Sequence, residues 1–281
     1  MGIDPTASDP GALRDLVRRA LEEDHAFDDI TTNATVPADA KGTATLIARE
    51  ACVVAGVDVF EATFHEMDPG LVIEAHVRDG ETVSAGGAIA TVSGRLSAIL
   101  SAERTALNFV QRLSGVATVT RSFVDAAGGT EIRDTRKTTP GFRDLEKAAV
   151  RAGGGSNHRR DLGSAVLIKD NHIAAAGDLG AAVEKAKATG AHVEVECETL
   201  DQVRAALDTG ADELLLDNMN VETLAQAVSM AKEKGRTTEA SGGVTLETVG
   251  KIAKTGVDSI SVGALTHSAR AVDLSLEVEA G

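Results

Sequence analysis

The chain has 281 residues, 28 Lys and Arg against 43 Asp and Glu for a formal net charge of -15, and six Phe with no Trp or Tyr. That length gives room for one large or two medium domains, and the charge argues against nucleic acid as a partner, since phosphates would be repelled and no aromatics are interleaved for base stacking. No apolar run reaches the roughly 18 residues of a membrane helix and no basic and apolar leader opens the chain, so no membrane role and a cytoplasmic compartment are expected.

Residues 9–23 place Leu13, Leu16, Val17, Ala20 and Leu21 on one face of a helix, with Asp9 as N-cap and Pro10 at the first helical position. From Lys41 to Gly94 short runs (Thr43 to Ala48, Leu71 to Val77, Ala88 to Val92) alternate with Gly and Asp turns, and Val53 to Gly56 precede a short helix. This texture predicts an α+β domain with an antiparallel sheet. Ser97 caps the next predicted helix, whose apolar stripe (Ile99, Leu100, Ala106, Leu107, Phe109, Val110) is interrupted by Glu103 and Arg104. Ser114 and Gly115 are expected to break it, with a second helix over Val116 to Ala127. The domains expected are 1–112, 113–267 and a C-terminal tail, 268–281, packing back on the first.

Beyond that boundary the rhythm is βα. Gly190, Gly210, Gly235 and Gly256 each close an amphipathic run, and Asp178, Thr199 with Gln202, Asn220 and Thr245 can cap helix starts. The predicted strands lie at Ile132, Val166, His192 to Cys197, Glu213 to Leu216, Thr237 to Ala240 and Asp258 to Val262. Such a series fits an α/β barrel, with an open doubly wound sheet as the alternative. Cys52 and Cys197 belong to no metal-ligand spacing and read as reduced core thiols.

The segment Asp134 to His172 concentrates Arg136, Lys137, Arg143, Lys147, Arg151, His158, Arg159, Arg160 and Lys169 in an otherwise acidic chain, which calls for a small anionic ligand. Arg136 and Lys137 follow one predicted strand and Lys169 another, the place where parallel sheets and barrels carry ligand groups. The later strand ends supply Glu196, Asp217, Ser241 with Gly242 and Gly243, and Gly263. Acids amid cations suit a divalent metal bridging carboxylates and phosphate oxygens, and hard oxygen donors favour magnesium or manganese over zinc. The turns Ser241-Gly242-Gly243 and Val262-Gly263-Ala264 are placed where barrels bind phosphate through backbone N–H groups.

The motifs EDHAFDDITT, VVAGVDVF, ILSAERTALNFVQRLSGVATVT, DTRKTTPGFR, GGGSNHR, VLIKDNH, VEVECETL, LLLDNM, EASGGV and GVDSISVGALTHS resemble, in order and over nearly the whole length, the quinolinate phosphoribosyltransferase family, carboxylating nicotinate-nucleotide pyrophosphorylases. The resemblance implies an N-terminal α+β open sandwich and a C-terminal open α/β barrel, the type II phosphoribosyltransferase fold. It also implies a homodimer with composite active sites, with a higher oligomer left open. The implied activity is that of a pentosyltransferase, joining quinolinate to 5-phosphoribosyl 1-pyrophosphate with decarboxylation in de novo NAD biosynthesis, with Mg2+ as cofactor. By motif, quinolinate is assigned to Arg104 of a second subunit, Arg136, His158, Arg159 and Lys169. The phosphoribosyl donor is assigned to Lys137, Glu196, Asp217, Ser241 to Gly243 and Gly263 with Ala264, and Thr135 and Val262 complete the substrate-binding set. Lys137, Lys169, Glu196 and Asp217 are the implied catalytic groups, with Glu196 and Asp217 toward the metal directly or through water. The chain departs from the family pattern at Asp28, Arg160, Asp161 and Ser164, which bears on loop shape. Alternatives are a nicotinate phosphoribosyltransferase, the related transferase-like protein of molybdate-transport operons, and a non-catalytic metabolite-binding protein on the same barrel.

Overall fold

In the computed structural model, which describes residues 10–280, the elements run α1 (Pro10–Glu23), a 3-10 turn (Ala26–Asp28), α2 (Ile30–Thr35), β1 (Lys41–Ala48), β2 (Cys52–Val53), α3 (Val57–Met67), β3 (Val72–Ala75), β4 (Thr82–Val83), β5 (Ala88–Arg95), α4 (Leu96–Ala127), β6 (Glu131–Arg133) and α5 (Arg143–Ala152). They continue with β7 (Val166–Ile168), α6 (Asp170–Ala176), α7 (Leu179–Lys187), β8 (Val193–Cys197), α8 (Leu200–Leu207), β9 (Glu213–Asp217), α9 (Val221–Glu233), β10 (Thr237–Ser241), α10 (Leu246–Ala253), β11 (Ser259–Ser261), α11 (Ala264–His267) and β12 (Leu274–Ala280). Asp9, read as a helix cap, lies outside the described residues; Pro10 opens α1. No described helix is long and apolar enough to cross a membrane.

The chain forms two compact units, one taking the residues up to Val119, Thr139–Gly154 and those from Ser268, the other Thr120–Thr138 and Gly155–His267. The division expected at 112/113 falls inside α4. The predicted break at Ser114 and Gly115 does not occur: α4 is one helix of 32 residues. Both residues serve packing instead. Ser114 is buried, its Oγ accepting from the Ala55 amide at 3.0 Å, and a Cβ on Gly115 would lie 2.0 Å from the Arg270 carbonyl oxygen. A glycine here permits close backbone approach without interrupting the helix.

In the first unit an antiparallel sheet has the order β12-β1-β5-β3, beside the small β2-β4 pair. Along β1, Ala44, Leu46 and Ala48 are buried and alternate with more exposed residues, the period of a half-buried strand. The closing segment returns to this sheet, with Leu46 opposite Leu276 and Ala44 opposite Val278. Asp79 caps α3 from a distance, accepting from the Gly56 and Val57 amides at 2.9 and 3.1 Å. Glu66 on α3 accepts from Arg14 at 2.8 Å and Arg18 at 2.9 Å of α1.

The second unit is a parallel sheet of six strands in the order β6-β11-β10-β9-β8-β7. From β7 to β11 each strand lies beside its predecessor, with no reversal of direction across the sheet. Right-handed crossovers then place successive helices on one face, which separates a barrel from a doubly wound sheet. The barrel is open, with β6 and β7 at its two edges and a bridge from Arg133 to Ser156 extending the β6 side. The four helix-closing glycines have positive φ, from 64° to 84°. Asp178 and Asn220 cap α7 and α9 through Ala181 and Thr223 amides, and Thr199 forms a capping box with Gln202 on α8. Both cysteines are free and buried, and burial, then the charge of Glu196, pushes the Cys197 thiol up to about 12.

Candidate active site

Strand alternation explains how the second unit builds a site. On β8, Val193, Val195 and Cys197 point one way and Glu194 and Glu196 the other; on β10 Glu239 and Ser241 share a face, on β9 Glu213, Leu215 and Asp217. Register places Ser241 beside Asp217 and Glu239 beside both Leu215 and Ser259. The face opposite the helices thus carries carboxylates and hydroxyls where barrels more often pack Val, Ile and Leu.

Following β6, Thr135 Oγ1 accepts from the Lys137 amide at 3.0 Å, and the Lys137 carbonyl accepts from Thr266 Oγ1 at 2.8 Å. The Lys137 side chain passes by Gly263, where a Cβ would meet its Cδ at 3.1 Å. The Val262 amide donates to the Arg133 carbonyl at 2.9 Å, and Ala264 starts α11. These contacts bring Thr135, Lys137, Val262, Gly263 and Ala264 together.

At the ends of the middle strands, Asp217 Oδ2 accepts from Asn218 Nδ2 at 2.7 Å and the Asn218 amide donates to the Ser241 carbonyl at 2.9 Å. Asn218 is left-handed, φ 54°, and a Cβ on Gly242 (φ 94°) would lie 2.2 Å from its Oδ1, so no larger residue fits. Asn218, which sequence reasoning passed over, therefore joins Asp217 to the Ser241-Gly242-Gly243 turn. Its signal was only its place after Asp217 in LLLDNM.

Lys169 N-caps α6, where its amide donates to His172 Nδ1 at 3.0 Å, and its ammonium contacts Glu196 Oε2. Arg159 is half-buried and donates to the Ala165 carbonyl at 3.1 Å. Burial, and then the nearby charge of Arg136, lower the Arg159 pKa, while Glu194 acts against them. Arg136 holds a buried Nε without a hydrogen-bond partner. Two guanidiniums that repel each other, one with an unused donor, form an electropositive pocket prepared for an anion.

His158 is fixed from both sides. Asp134, fully buried, accepts from the His158 amide at 2.9 Å and from Asn157 Nδ2 at 2.7 Å. The ring Nε2 lies 3.1 Å from Glu194 and 3.5 Å from Glu239. Glu194, Glu239, Arg133 and Asp134, which sequence reasoning did not single out, surround His158.

Other parts of the basic segment group with the first unit. Arg143, Lys147 and Arg151 ride on α5, which groups with the first unit, and Lys147 is buried. The helix between two halves of the motif run is what divides them. Arg104, also in the first unit, is exposed on α4 and has no ion-pair partner among the described residues. Arg160 pairs with Asp161 at 2.9 Å, and Asp161 accepts from Ser164 at 2.7 Å and the Gly163 amide at 3.0 Å, so three departures from the family pattern meet in one turn.

Among the described residues, the one group of at least three side chains spaced like metal ligands is His158, Glu194 and Glu239, rather than Glu196 and Asp217. The latter two offer hard oxygens at neighbouring strand ends, a set that suits a magnesium ion taking most of its ligands from water and phosphate.

Residues 29–114 match the N-terminal domain and residues 116–277 the C-terminal domain of quinolinate phosphoribosyl transferase. The chain is 44% identical to quinolinate phosphoribosyltransferase [decarboxylating] 2b, mitochondrial, of Nicotiana tabacum, over 99% of this chain and 85% of that protein. It is 45% identical to the nicotinate-nucleotide pyrophosphorylase [carboxylating] of Mycobacterium leprae, over 95% and 97%. The solved nicotinate-nucleotide pyrophosphorylase from Francisella tularensis superposes with a TM-score of 0.93 at 42% identity, covering 99% of this chain and 100% of that one. With both domains matched and the strand-end groups gathered in one barrel, this chain belongs to the quinolinate phosphoribosyltransferase family.

Proposed function

We propose that the protein transfers the phosphoribosyl group of 5-phosphoribosyl 1-pyrophosphate to quinolinate, releasing pyrophosphate and carbon dioxide and giving nicotinate mononucleotide for NAD synthesis. The observation that carries the acceptor assignment is the Arg136 and Arg159 pair, half-buried, mutually repelling and with one donor unused. A dicarboxylate relieves that repulsion, and a monocarboxylate relieves less of it. His158 and Lys169 add positive charge to the same acceptor.

The pyridine nitrogen attacks C1 of the ribose as the C1–O bond to pyrophosphate breaks, the bonding pair leaving with the oxygen. Lys137 and the turns at Ser241 to Gly243 and Gly263 to Ala264 hold the donor's phosphates. The ribose carries positive charge as the bond breaks, and the carboxylates of Glu196 and Asp217 stabilise it. Ribosylation turns the ring into a pyridinium, which accepts the electron pair left at C2 when the carboxylate departs; C2 then takes a proton. Magnesium, when bound, would neutralise the pyrophosphate leaving group, and Glu196 and Asp217 would hold it directly or through water. Lys169 already occupies Glu196 Oε2, leaving Oε1 for that role.

Two copies are proposed to pair with Arg104 of each serving the other's site. Its support is an exposed arginine without an ion-pair partner among the described residues, on a helix otherwise rich in buried apolar side chains. Hybrid dimers of Arg104→Ala with Lys169→Ala should regain activity that both parents lack; hybrids as inactive as the parents would end the dimer proposal. Incubation with quinolinate, the phosphoribosyl donor and magnesium should yield carbon dioxide and nicotinate mononucleotide in equal amounts. Equal use of nicotinate as acceptor would overturn the quinolinate assignment.

A further inference from the structure

The enclosed face of the parallel sheet holds more charge than the reaction accounts for. Glu239 is fully buried; its Oε2 accepts from Arg133 Nη1 at 2.7 Å, and the same nitrogen donates to Glu213 Oε1 at 2.9 Å. Glu194 is buried on the neighbouring side and meets the His158 ring at 3.1 Å. The charged groups that act on the ring include Glu194 from β8, Glu239 from β10 and Arg133 from β6.

Two oxygens in this cluster, Glu194 Oε1 and Glu239 Oε1, are buried and have no hydrogen-bond partner. Such atoms cost free energy unless a cation faces them. Arg133 serves Glu213 and Glu239 together, so one guanidinium is shared between two carboxylates and Glu194 has no share of it. Arg159 acts on Glu194 through its charge, but the cation in contact with both Glu194 and Glu239 is the imidazole, whose Nε2 lies between them. An imidazole carrying both protons has a donor at Nε2 for Glu194 and a full positive charge for Glu239.

We propose that Glu239 and Glu194 are positioning residues: through contact with Nε2 they hold the His158 ring in one orientation and keep it cationic, so that it presents a charge to the acceptor's carboxylate. This rests on the assignment of His158 to the acceptor. The alternative occupant of the cluster, a divalent metal held by the three side chains, would sit beside the Arg133 guanidinium and withdraw the imidazole from the substrate.

The electrostatics agree with the geometry. Burial by itself would lower the His158 pKa, but the Glu194 hydrogen bond and the Glu239 charge outweigh it and the net shift is upward. Burial and then the Glu194 charge push Glu239 up to about 7, with His158 and Arg133 acting against them. A neutral Glu239 would no longer hold the ring charged, so the pair passes from tight to loose coupling near neutral pH.

The test follows the His158 ring by NMR in protein labelled at histidine, with His158→Gln identifying the signal. In the wild type His158 should titrate above the ordinary histidine range, and in Glu239→Gln, of the same shape, it should titrate at lower pH. Glu239→Asp, which keeps the charge, should restore part of the difference. In the same variants the quinolinate KM of Glu239→Gln should match wild type within about twofold at pH 6 and exceed it by about tenfold at pH 8, the donor KM staying level, since a tenfold change corresponds to one unit of protonation equilibrium. A wild-type His158 that titrates at or below the ordinary range overturns the proposal, even when Glu239→Gln fails to fold. A titration that moves as expected while the quinolinate KM ignores pH would retain the network and reject the acceptor role of His158. That second result is distinct from loss of the transferase reading itself, in which wild type makes no nicotinate mononucleotide.

Discussion

The two sheets of this protein use their enclosed faces in opposite ways. In the antiparallel sheet β1 turns Ala44, Leu46 and Ala48 inward, and the reward is apolar surface removed from water. In the parallel sheet the apolar residues Val193, Val195, Leu214, Leu216, Ala240 and Ile260 are buried on one face, and the opposite face holds Arg133, Glu194, Glu213 and Glu239. Where a sheet face is enclosed and still charged, its stability depends on balance rather than area. Here that balance lies next to the groups assigned to substrate.

The largest effect should come from the mouth of the charged face. Arg159→Ala or Lys169→Ala should lower kcat/KM for quinolinate by about 2 to 5 kcal/mol in barrier terms, the cost of removing one partner of a charge-assisted contact. Urea melts of Arg159→Ala should stay close to wild type, because the lost arginine was repelled by Arg136. A large loss of stability with normal turnover would reverse the comparison.

Next come paired substitutions, one on each sheet. Arg133→Leu leaves Glu213 and Glu239 without their guanidinium and should destabilise by about 3 kcal/mol or more, less at pH 5 than at pH 8 because protonation relieves the carboxylates. Leu46→Ala, a cavity in the apolar sheet, should cost about 2 to 3 kcal/mol with no such pH dependence. Denaturant midpoints of both variants at the two pH values decide whether charge or area governs each face.

A smaller effect distinguishes two carboxylates by sign. Glu50, in the first unit, is held down to about 2 by Arg270 and the Asp273 amide, so its contribution to stability is present above pH 4.5 and lost as pH falls toward 2. Glu239 is pushed up from 4.5 to about 7, so the native state binds its proton more tightly than the unfolded chain and this contribution declines as pH rises from 4.5 through 7. Glu239→Gln should flatten the stability profile over that upper window, and Glu50→Gln should flatten it below 4.5. The smallest expected change is local: Thr199→Ala removes the α8 cap and should cost about 1 kcal/mol with kinetics unchanged.

Much of the barrel was legible because its signals are local. Cap residues and helix-closing glycines act within one turn, so Thr199, Asn220 and Gly210 announce their elements without knowledge of the fold. The placement of Arg136, Lys169, Glu196 and Asp217 at or just beyond strand ends could be read for the same reason. What escaped was set by distant contacts. Gly115 looks like a helix breaker until the backbone at Arg270 is seen against it. Glu194 and Glu239 look like ordinary alternating strand residues until β8, β9, β10 and β6 assemble and bring the acids to Arg133 and His158. The grouping of α5 with the first unit likewise has no mark in its own sequence.

The pairing of β12 with β1 has a consequence for synthesis on the ribosome. Ala48 meets Leu274, and the whole barrel lies between them in the chain. At roughly 5 to 20 residues per second, β1 waits on the order of 10 to 45 s for its outer neighbour, presenting an unpaired edge to other nascent chains. The barrel residues can fold during that interval, while the older sheet stays unfinished until the last strand emerges. A chain truncated before Leu274 would keep that edge open permanently, which makes aggregation rather than loss of catalysis the first symptom of a late stop codon.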